Sequence, residues 1–192
     1  MSLDQSLSDT QILMNVAAQA AVSDAPEPAA RKPVAAAPVA PTAAWAMPGF
    51  CGKSKVLTSF GNLPIEALRK NDPLKTASGA FRKVTWVDKI TFEPEFLAAH
   101  PEAQPVLIAA GKFGAGKPAV DMLVSPAQSV QSSARYGTVG FRKAKDLVSG
   151  GGGTARPQSS VTYILFGCDT PTEVCVDGIW CEVGPKDARN GD

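Results

Sequence analysis

Short runs of apolar and β-branched residues recur along the chain after residue 48, and turn-forming residues separate them. Runs of this length and composition are typical of β-strands. The pattern predicts seven strands, at residues 56–58, 74–76, 81–92, 106–110, 122–125, 161–166 and 173–176. We therefore expect a mainly β fold of short strands and hairpins.

Turns and short helices fall between these strands. Pro64 and Pro94 each open a segment suited to one or two helical turns, at residues 64–68 and 94–99, because proline fits the first position of a helix. Asp177-Gly178 is a typical two-residue hairpin turn. It places Cys175 opposite Trp180 and Cys181 opposite Val174. A second hairpin through residues 169–172 places Cys168 opposite Glu173.

Residues 1–48 have a different pattern. Apolar positions from Ile12 to Ala20 recur at helical spacing and predict a short helix at residues 10–22. The rest is rich in alanine and proline and offers few bulky side chains to bury, so we expect a disordered arm. The predicted organisation is an arm at 1–48, a β domain at 49–185 and a flexible tail at 186–192. The helix of the arm could dock a protein partner.

Composition narrows the function classes. The 19 Lys+Arg residues nearly balance the 18 Asp+Glu residues, so the charge does not favour nucleic-acid binding. No apolar run reaches the ~20 residues of a membrane helix, and the amino terminus lacks the pattern of a secretory signal. We expect no membrane association. A cytoplasmic location, or export by a route without an N-terminal signal, is predicted.

Residues 111–118 have the spacing of a phosphate-binding loop as far as Lys117. Pro118 follows, where such a loop needs a serine or threonine hydroxyl for the metal. Proline also removes a backbone amide donor and disfavours helical backbone at Lys117. The pattern favours a glycine-rich connection between two strands, and we expect no nucleotide cofactor.

The four cysteines and the single His100 fit no common zinc-ligand spacing. Buried thiols are favoured for Cys168, Cys175 and Cys181, although disulfides or a metal stay open. Cys51 lies where the arm meets the first strand. From there a thiolate could attack the preceding carbonyl, provided that a base and a proton donor lie nearby.

Residues 50 to about 184 resemble the Hint domain, the hedgehog/intein autoprocessing module, in its bacterial form. The resemblance rests on short motifs in the family's order and spacing. They are Val56-Leu57-Thr58, Gly61, Pro64-Ile65-Glu66-Ala67-Leu68, Asp72, Val84-Thr85-Trp86-Val87, Pro105-Val106, Gly111, Pro118, Asp121-Met122-Leu123-Val124-Ser125-Pro126, Val161-Thr162-Tyr163 and the stretch 177–184. It implies a Hint-like β fold and self-cleavage chemistry.

The resemblance also implies where catalytic residues belong. The family begins with Cys-Phe, and an ungapped alignment places Gly49 at the nucleophile and Phe50 at the phenylalanine; Cys51 is two residues too late. The family's activating histidine follows Ser-Pro as Ser-Pro-Gln-His, whereas Ser125 and Pro126 here precede Ala127 and Gln128. A glutamine donates hydrogen bonds but cannot protonate a leaving nitrogen at neutral pH.

The candidate catalytic positions are therefore Cys51, Ser125 and Gln128, with Gly49 at the ungapped nucleophile position. We expect a Hint-like module that is degenerate for self-cleavage and needs no cofactor or metal. The alternative is an active domain that cleaves its own chain before Cys51 by an N-to-S acyl shift. Asn190 resembles the asparagine that ends inteins, but Arg189 precedes it, so splicing is not expected.

Overall fold

The fold is seen in a computed structural model that describes residues 47–133 and 140–186. The predicted helix at 10–22, the arm as far as residue 46 and the tail after residue 186 lie outside this part. The described chain is mainly β, as the sequence predicts. Its strands are β1 Phe50–Cys51, β2 Lys55–Thr58, β3 Gly61–Pro64, β4 Pro73–Lys75, β5 Phe81–Lys83, β6 Trp86–Phe92, β7 Val106–Ile108, β8 Met122–Val124, β9 Ser129–Ser132, β10 Gly140–Lys143, β11 Thr154–Ala155, β12 Val161–Gly167, β13 Thr172–Val176 and β14 Ile179–Val183.

The described strands form two sheets. The first has the order β11-β7-β8-β1-β12-β6, and the second runs β10-β9-β14-β13-β2-β4-β5, with β3 beside β2. Neighbouring strands are antiparallel throughout. Strand β1 lies between β8 and β12, so the start of the domain is held inside the first sheet and not at its edge.

Short helices fill the connections. Both proline-initiated segments are helical as predicted: helix α1 is Pro94–Ala99, and Ile65–Ala67 forms a 3-10 turn. Pro101–Ala103 adds a second 3-10 turn directly after α1. Helix α2, Ala144–Ser149, follows β10 and ends at Gly150.

The predicted strand at residues 81–92 is wrong in one respect, because it divides into β5 and β6 in different sheets. The division falls at Val84 and Thr85. Val84 exchanges backbone hydrogen bonds with Asn71 and Asp72 on the side of the second sheet, whereas Thr85 donates its amide to Gly167 of the first. The alternating pattern continues through this crossing, so it gives no sign of the change of sheet.

Strands β13 and β14 pair through the Asp177-Gly178 turn, with Cys175 opposite Trp180 and Val174 opposite Cys181, as predicted. Asp177 and Gly178 have φ values of 49° and 87°, which two-residue hairpin turns require. The second predicted hairpin is wrong. Strands β12 and β13 lie in different sheets, so residues 169–172 connect the sheets, and Cys168 does not face Glu173.

Two apolar clusters lie on opposite faces of β12. Ile164 and Phe166 point into the larger one, which also holds residues of the second sheet such as Val56 and Val174. The smaller cluster contains Val161, Tyr163 and Leu165 of β12, with Phe92, Leu97 and Ala103. This alternation is the period of two expected for a strand that is covered on both faces.

The glycine-rich segment 111–118 connects β7 to β8. Several of its amides donate to carbonyls of the same segment: Gly111 donates to Pro118 at 2.9 Å, Phe113 to Lys117 at 2.9 Å and Lys117 to Gly114 at 2.9 Å. No helix follows the lysine, since β8 begins at Met122. The segment therefore has neither the amide cradle nor the helix N-terminus of a nucleotide-binding loop.

Candidate functional site

A cavity of about 400 Å³ lies where the chain enters β1. Three parts of the chain supply most of its wall: residues 48–50, residues 127–129 after β8, and residues 182–185 at the end of β14. Trp86, Phe166 and residues 171–173 complete it. The cavity thus joins the ungapped nucleophile position of the sequence analysis to the segment that carries Gln128.

Gly49 is buried in the cavity wall, and its carbonyl accepts a 2.9 Å hydrogen bond from the amide of Ser125. A Cβ atom built on Gly49 would lie 3.3 Å from both Leu165 Cγ and Tyr163 Cβ. These distances are closer than ordinary carbon contacts, so any side chain here requires its neighbours to move. The position has neither a nucleophile nor ready space for one.

Phe50 fixes the register of β1. Its side chain is 1% exposed and stacks on Phe166 with ring centroids 5.5 Å apart. On the backbone, Phe50 pairs with Ile164 on one side and Val124 on the other. Because successive side chains of a strand point to opposite faces, Phe50 in the larger cluster directs Cys51 to the other face.

Cys51 packs at the margin of the smaller cluster, beside Tyr163, the residue of β12 with which it pairs. Burial raises the pKa of the Cys51 thiol to about 12. Burial also raises the pKa of the Tyr163 phenol, and the adjacent Cys51 adds to this. Cys51 lines a separate depression, with Glu66, Asp121 and Arg156. Its thiol is therefore protonated at neutral pH and does not line the cavity that holds Gln128.

Ser125 holds the chain that precedes β1. Its hydroxyl donates a 2.6 Å hydrogen bond to the Met47 carbonyl and accepts one from the Ala127 amide at 3.2 Å. Ser125 is fully buried. With the bond from its amide to the Gly49 carbonyl, Ser125 holds the backbone on both sides of Pro48.

Gln128 is 1% exposed and acts as a bridge between strands. Its Nε2 atom donates to the carbonyls of Ser129 and Glu182, both at 2.9 Å. Its backbone carbonyl accepts a 2.8 Å bond from the Ala144 amide, which ties helix α2 to the same segment. Both amide protons of the side chain are thus used within the protein.

His100, the single histidine of the chain, ends helix α1. Its ring lies 4.5 Å from the Phe96 ring, and its Nδ1 atom is 3.3 Å from Glu102 Oε1. Phe96 packs against the smaller cluster. His100 does not line the cavity beside Gly49, so the cavity wall as described contains no imidazole.

The structure therefore brings Gly49 and Gln128 into one cavity, with Ser125 behind them, and places Cys51 elsewhere. The sequence pattern does not indicate that Trp86, Ser129 and Glu182 belong to this site. The hairpin register that the Asp177-Gly178 turn predicts also places Glu173 opposite Glu182. The pairing of these two glutamates could therefore be predicted from the sequence. Nothing in the chain order indicates that this pair lies beside Gln128.

The four cysteines are all free thiols, buried at Cys168 and Cys181 and half-buried at Cys51 and Cys175. Within residues 47–133 and 140–186, no three histidine, cysteine or acidic side chains group as metal ligands would. Over the same residues, no helix has the length and apolar character needed to cross a membrane.

The described chain is an antiparallel β fold in which β1 lies inside the first sheet and pairs with β8, directly before Ser125 and Pro126. The family model of the Hint domain matches residues 48–185. The chain belongs to the Hint-domain family.

Solved inteins are similar to this chain. The MchDnaB-1 intein is 13% identical, with a TM-score of 0.45, and the match covers 70% of this chain and 99% of the intein. The gp41-1 intein is also 13% identical, with a TM-score of 0.44, covering 70% and 98%. A splice-inactive variant of the AceL NrdHF class 3 split intein is 13% identical, with a TM-score of 0.44, covering 72% and 98%. No curated protein matches the chain.

Proposed function

We propose that this Hint domain does not cleave itself and serves as a folded, non-catalytic module. The observation that carries the proposal is the composition of the cavity beside β1. Gly49 has no side chain there, and Gln128 lines the cavity with no histidine beside it. Self-cleavage needs a nucleophile, and it needs a proton donor for the leaving amide nitrogen. The described residues of this cavity include neither a thiol nor an imidazole.

The chemistry explains why both absences matter. In an N-to-S acyl shift the thiolate sulfur bonds to the carbonyl carbon of the preceding residue, the C–N bond breaks, and the nitrogen takes a proton. Gln128 cannot supply that proton, because a carboxamide is not an acid at neutral pH. Loss of a single member of a cooperating catalytic set commonly costs several orders of magnitude in rate.

Cys51 does not compensate for these losses. Burial raises the thiol pKa to about 12, so very little thiolate is available at pH 7. The side chain also faces the smaller apolar cluster, whereas Gln128 bridges β9 and β14 on the other side of β1. Cleavage before Cys51 would need a base and an acid that its surroundings do not bring together.

Intact-mass measurement of the purified full chain tests the proposal. We expect one species of unchanged mass after incubation with dithiothreitol or hydroxylamine, which intercept thioesters. A carboxy-terminal fragment that begins at Cys51 would support the alternative, an active autoprocessing domain. Such a fragment should disappear in Cys51→Ala and persist in Cys175→Ala, which removes another half-buried thiol as the matched control.

A further inference from the structure

The side-chain hydrogen-bond donors in the wall of the cavity beside Gly49 already donate to other groups of the protein. The Trp86 indole donates to the Gly184 carbonyl at 3.1 Å, and the Thr172 hydroxyl donates to the Thr170 carbonyl at 2.8 Å. The Ser129 hydroxyl donates to the Glu182 carboxylate. Both amide protons of Gln128 are also bonded. The described side chains of the wall can therefore accept hydrogen bonds from a ligand but have no free proton to donate to one.

One of these acceptors belongs to a buried residue. Gln128 is 1% exposed and lines the cavity, and both hydrogen bonds of its side chain use Nε2. No described group donates to Oε1. The fully buried side-chain atoms without a partner in the described chain are Ser133 Oγ and Asp177 Oδ2, so Gln128 Oε1 stays accessible from the cavity. It can accept a hydrogen bond from a ligand or water there.

Two carboxylates stand directly opposite each other at the same cavity. Glu173 and Glu182 are a cross-strand pair of β13 and β14, and like charges at such positions repel. Neither forms an ion pair within the described residues. Arg82 lines a neighbouring depression together with Glu173 but does not line this cavity. Lys186 forms its ion pair with Asp88, at 3.6 Å. Both glutamates are exposed, and they are the acidic side chains that line this cavity.

The remaining wall is aromatic and apolar. Half-buried Trp86 lines the cavity beside the buried, mutually stacked Phe50 and Phe166, and an indole face attracts cations as well as hydrocarbon. A volume of about 400 Å³ lies within the range of small-molecule sites. The wall of this cavity thus combines hydrogen-bond acceptors, two carboxylates and an indole. A cation that donates several hydrogen bonds and carries an apolar stem fits this combination.

We propose that this cavity binds an organic cation, an ammonium or guanidinium group on a short apolar stem. The charged head contacts Glu182 and Glu173 and donates to Gln128 Oε1, while the stem lies against Trp86. The bond from Ser129 holds the Glu182 carboxylate in place for this contact. The inference goes beyond the proposed function, since binding uses two glutamates that take no part in self-cleavage.

Calorimetric titration with butylguanidinium and its neutral isostere butylurea tests the inference on the full chain. We expect butylguanidinium to bind at least about tenfold more tightly, because only the cation forms charge-assisted hydrogen bonds. Equal affinity for the two probes, or no binding of either, would overturn the inference. Neither outcome bears on whether the chain cleaves itself, which the mass measurement decides independently.

Variants locate the site. Glu173→Gln combined with Glu182→Gln should weaken butylguanidinium binding at least about tenfold and leave butylurea unchanged. Glu95→Gln makes the same change on the exposed surface of α1 and serves as the matched control. Thermal melts of each variant confirm that it is folded. Unchanged cation affinity in the folded double variant would place binding elsewhere and contradict the inference.

A third probe distinguishes the source of the cation. The blocked tripeptide acetyl-Ala-Arg-Ala-amide carries the same guanidinium on a peptide backbone. Tighter binding of the tripeptide than of butylguanidinium, lost in the double variant, would identify a peptide side chain as the natural occupant. Weaker binding of the tripeptide would identify a free small molecule, because the backbone then does not fit the cavity.

Discussion

Three consecutive residues at the start of β1 have three different environments. Gly49 contributes backbone to the cavity, Phe50 fills the larger cluster, and Cys51 packs beside Tyr163 of the smaller cluster. The alternation of strand faces fixes this arrangement once Phe50 is buried. The Cys51 thiol therefore lies in an environment that keeps it protonated.

Two buried thiols and a buried phenol predict that the protein loses stability at alkaline pH. Burial raises the pKa values of Cys51, Tyr163 and Cys181, so the folded state holds these protons more tightly than the unfolded state. The stabilisation is complete below the unfolded pKa of about 8.5 to 10 and declines as pH rises towards the folded values. Thermal melts should show a falling midpoint above about pH 9.

Cys51→Ala tests the contribution of this thiol. The variant removes one of the groups, so its melting midpoint should fall less steeply with alkaline pH than that of the wild type. Cys175 is half-buried and its pKa is also raised by burial, so Cys175→Ala shows whether the effect is particular to Cys51. Identical slopes for wild type and Cys51→Ala would contradict the assigned environment.

Among the elements, the β13–β14 hairpin contains a buried charge in its turn. Asp177 Oδ1 accepts a 3.1 Å bond from the Lys55 amide, which ties the turn to β2, whereas Oδ2 is buried without a hydrogen-bond partner in the described chain. Burial raises the Asp177 pKa, and the Lys55 amide and the Ser54 hydroxyl partly oppose this. The turn thus carries an unfavourable carboxylate at neutral pH.

Asp177→Asn should stabilise the protein by about 1 kcal/mol at pH 7, because the amide keeps the acceptor and removes the charge. Asparagine also suits the positive φ of the turn. With its pKa raised on folding, Asp177 costs stability as pH rises from the unfolded value near 3.9 through the folded one. The stability difference between variant and wild type should therefore vanish at low pH.

Chemical denaturation at pH 3 and pH 7 measures this difference. Asp169→Asn, at an exposed position, is the matched control and should change the free energy of unfolding by less than about 0.5 kcal/mol. An Asp177→Asn variant less stable than the wild type at pH 7 would show that the carboxylate is satisfied in solution.

Local sequence signals predicted several elements well. Pro94 and the following residues gave helix α1, and Asp177-Gly178 gave the register of β13 and β14, because both depend on neighbours in sequence. The crossing at Val84 and the connection at residues 169–172 depend on which sheet each strand joins. No local pattern encodes that choice, since a strand alternates in the same way in either sheet.

The candidate site was predictable only in part. The resemblance located Gly49, Ser125 and Gln128 on the chain, and the structure shows that Gly49 and Gln128 share a cavity. Its other walls come from Trp86 and Glu182, which are distant from Gln128 in sequence. Their approach follows from the pairing of β14 with β9 and of β12 with β6, which are long-range contacts.

At the scale of the whole molecule, β12 joins the two apolar clusters, because its side chains alternate between them. Tyr163 anchors the smaller cluster through a 2.9 Å bond from its hydroxyl to the Ala103 carbonyl. A change in either cluster must therefore disturb the same strand. We expect the described β domain to unfold as one cooperative unit.

Leu97→Ala in the smaller cluster and Leu147→Ala in the larger one test this expectation. Both leucines are buried, at 3% and 1% exposure, so each truncation should cost about 2–5 kcal/mol. Tryptophan fluorescence and far-ultraviolet circular dichroism should give coincident denaturation curves for the wild type and both variants. If the clusters were independent, Leu97→Ala would produce two separate transitions, because the smaller cluster, against which Trp86 packs, would unfold while the larger cluster persisted. A single shifted transition in both signals requires that β12 transmit the loss from one face to the other.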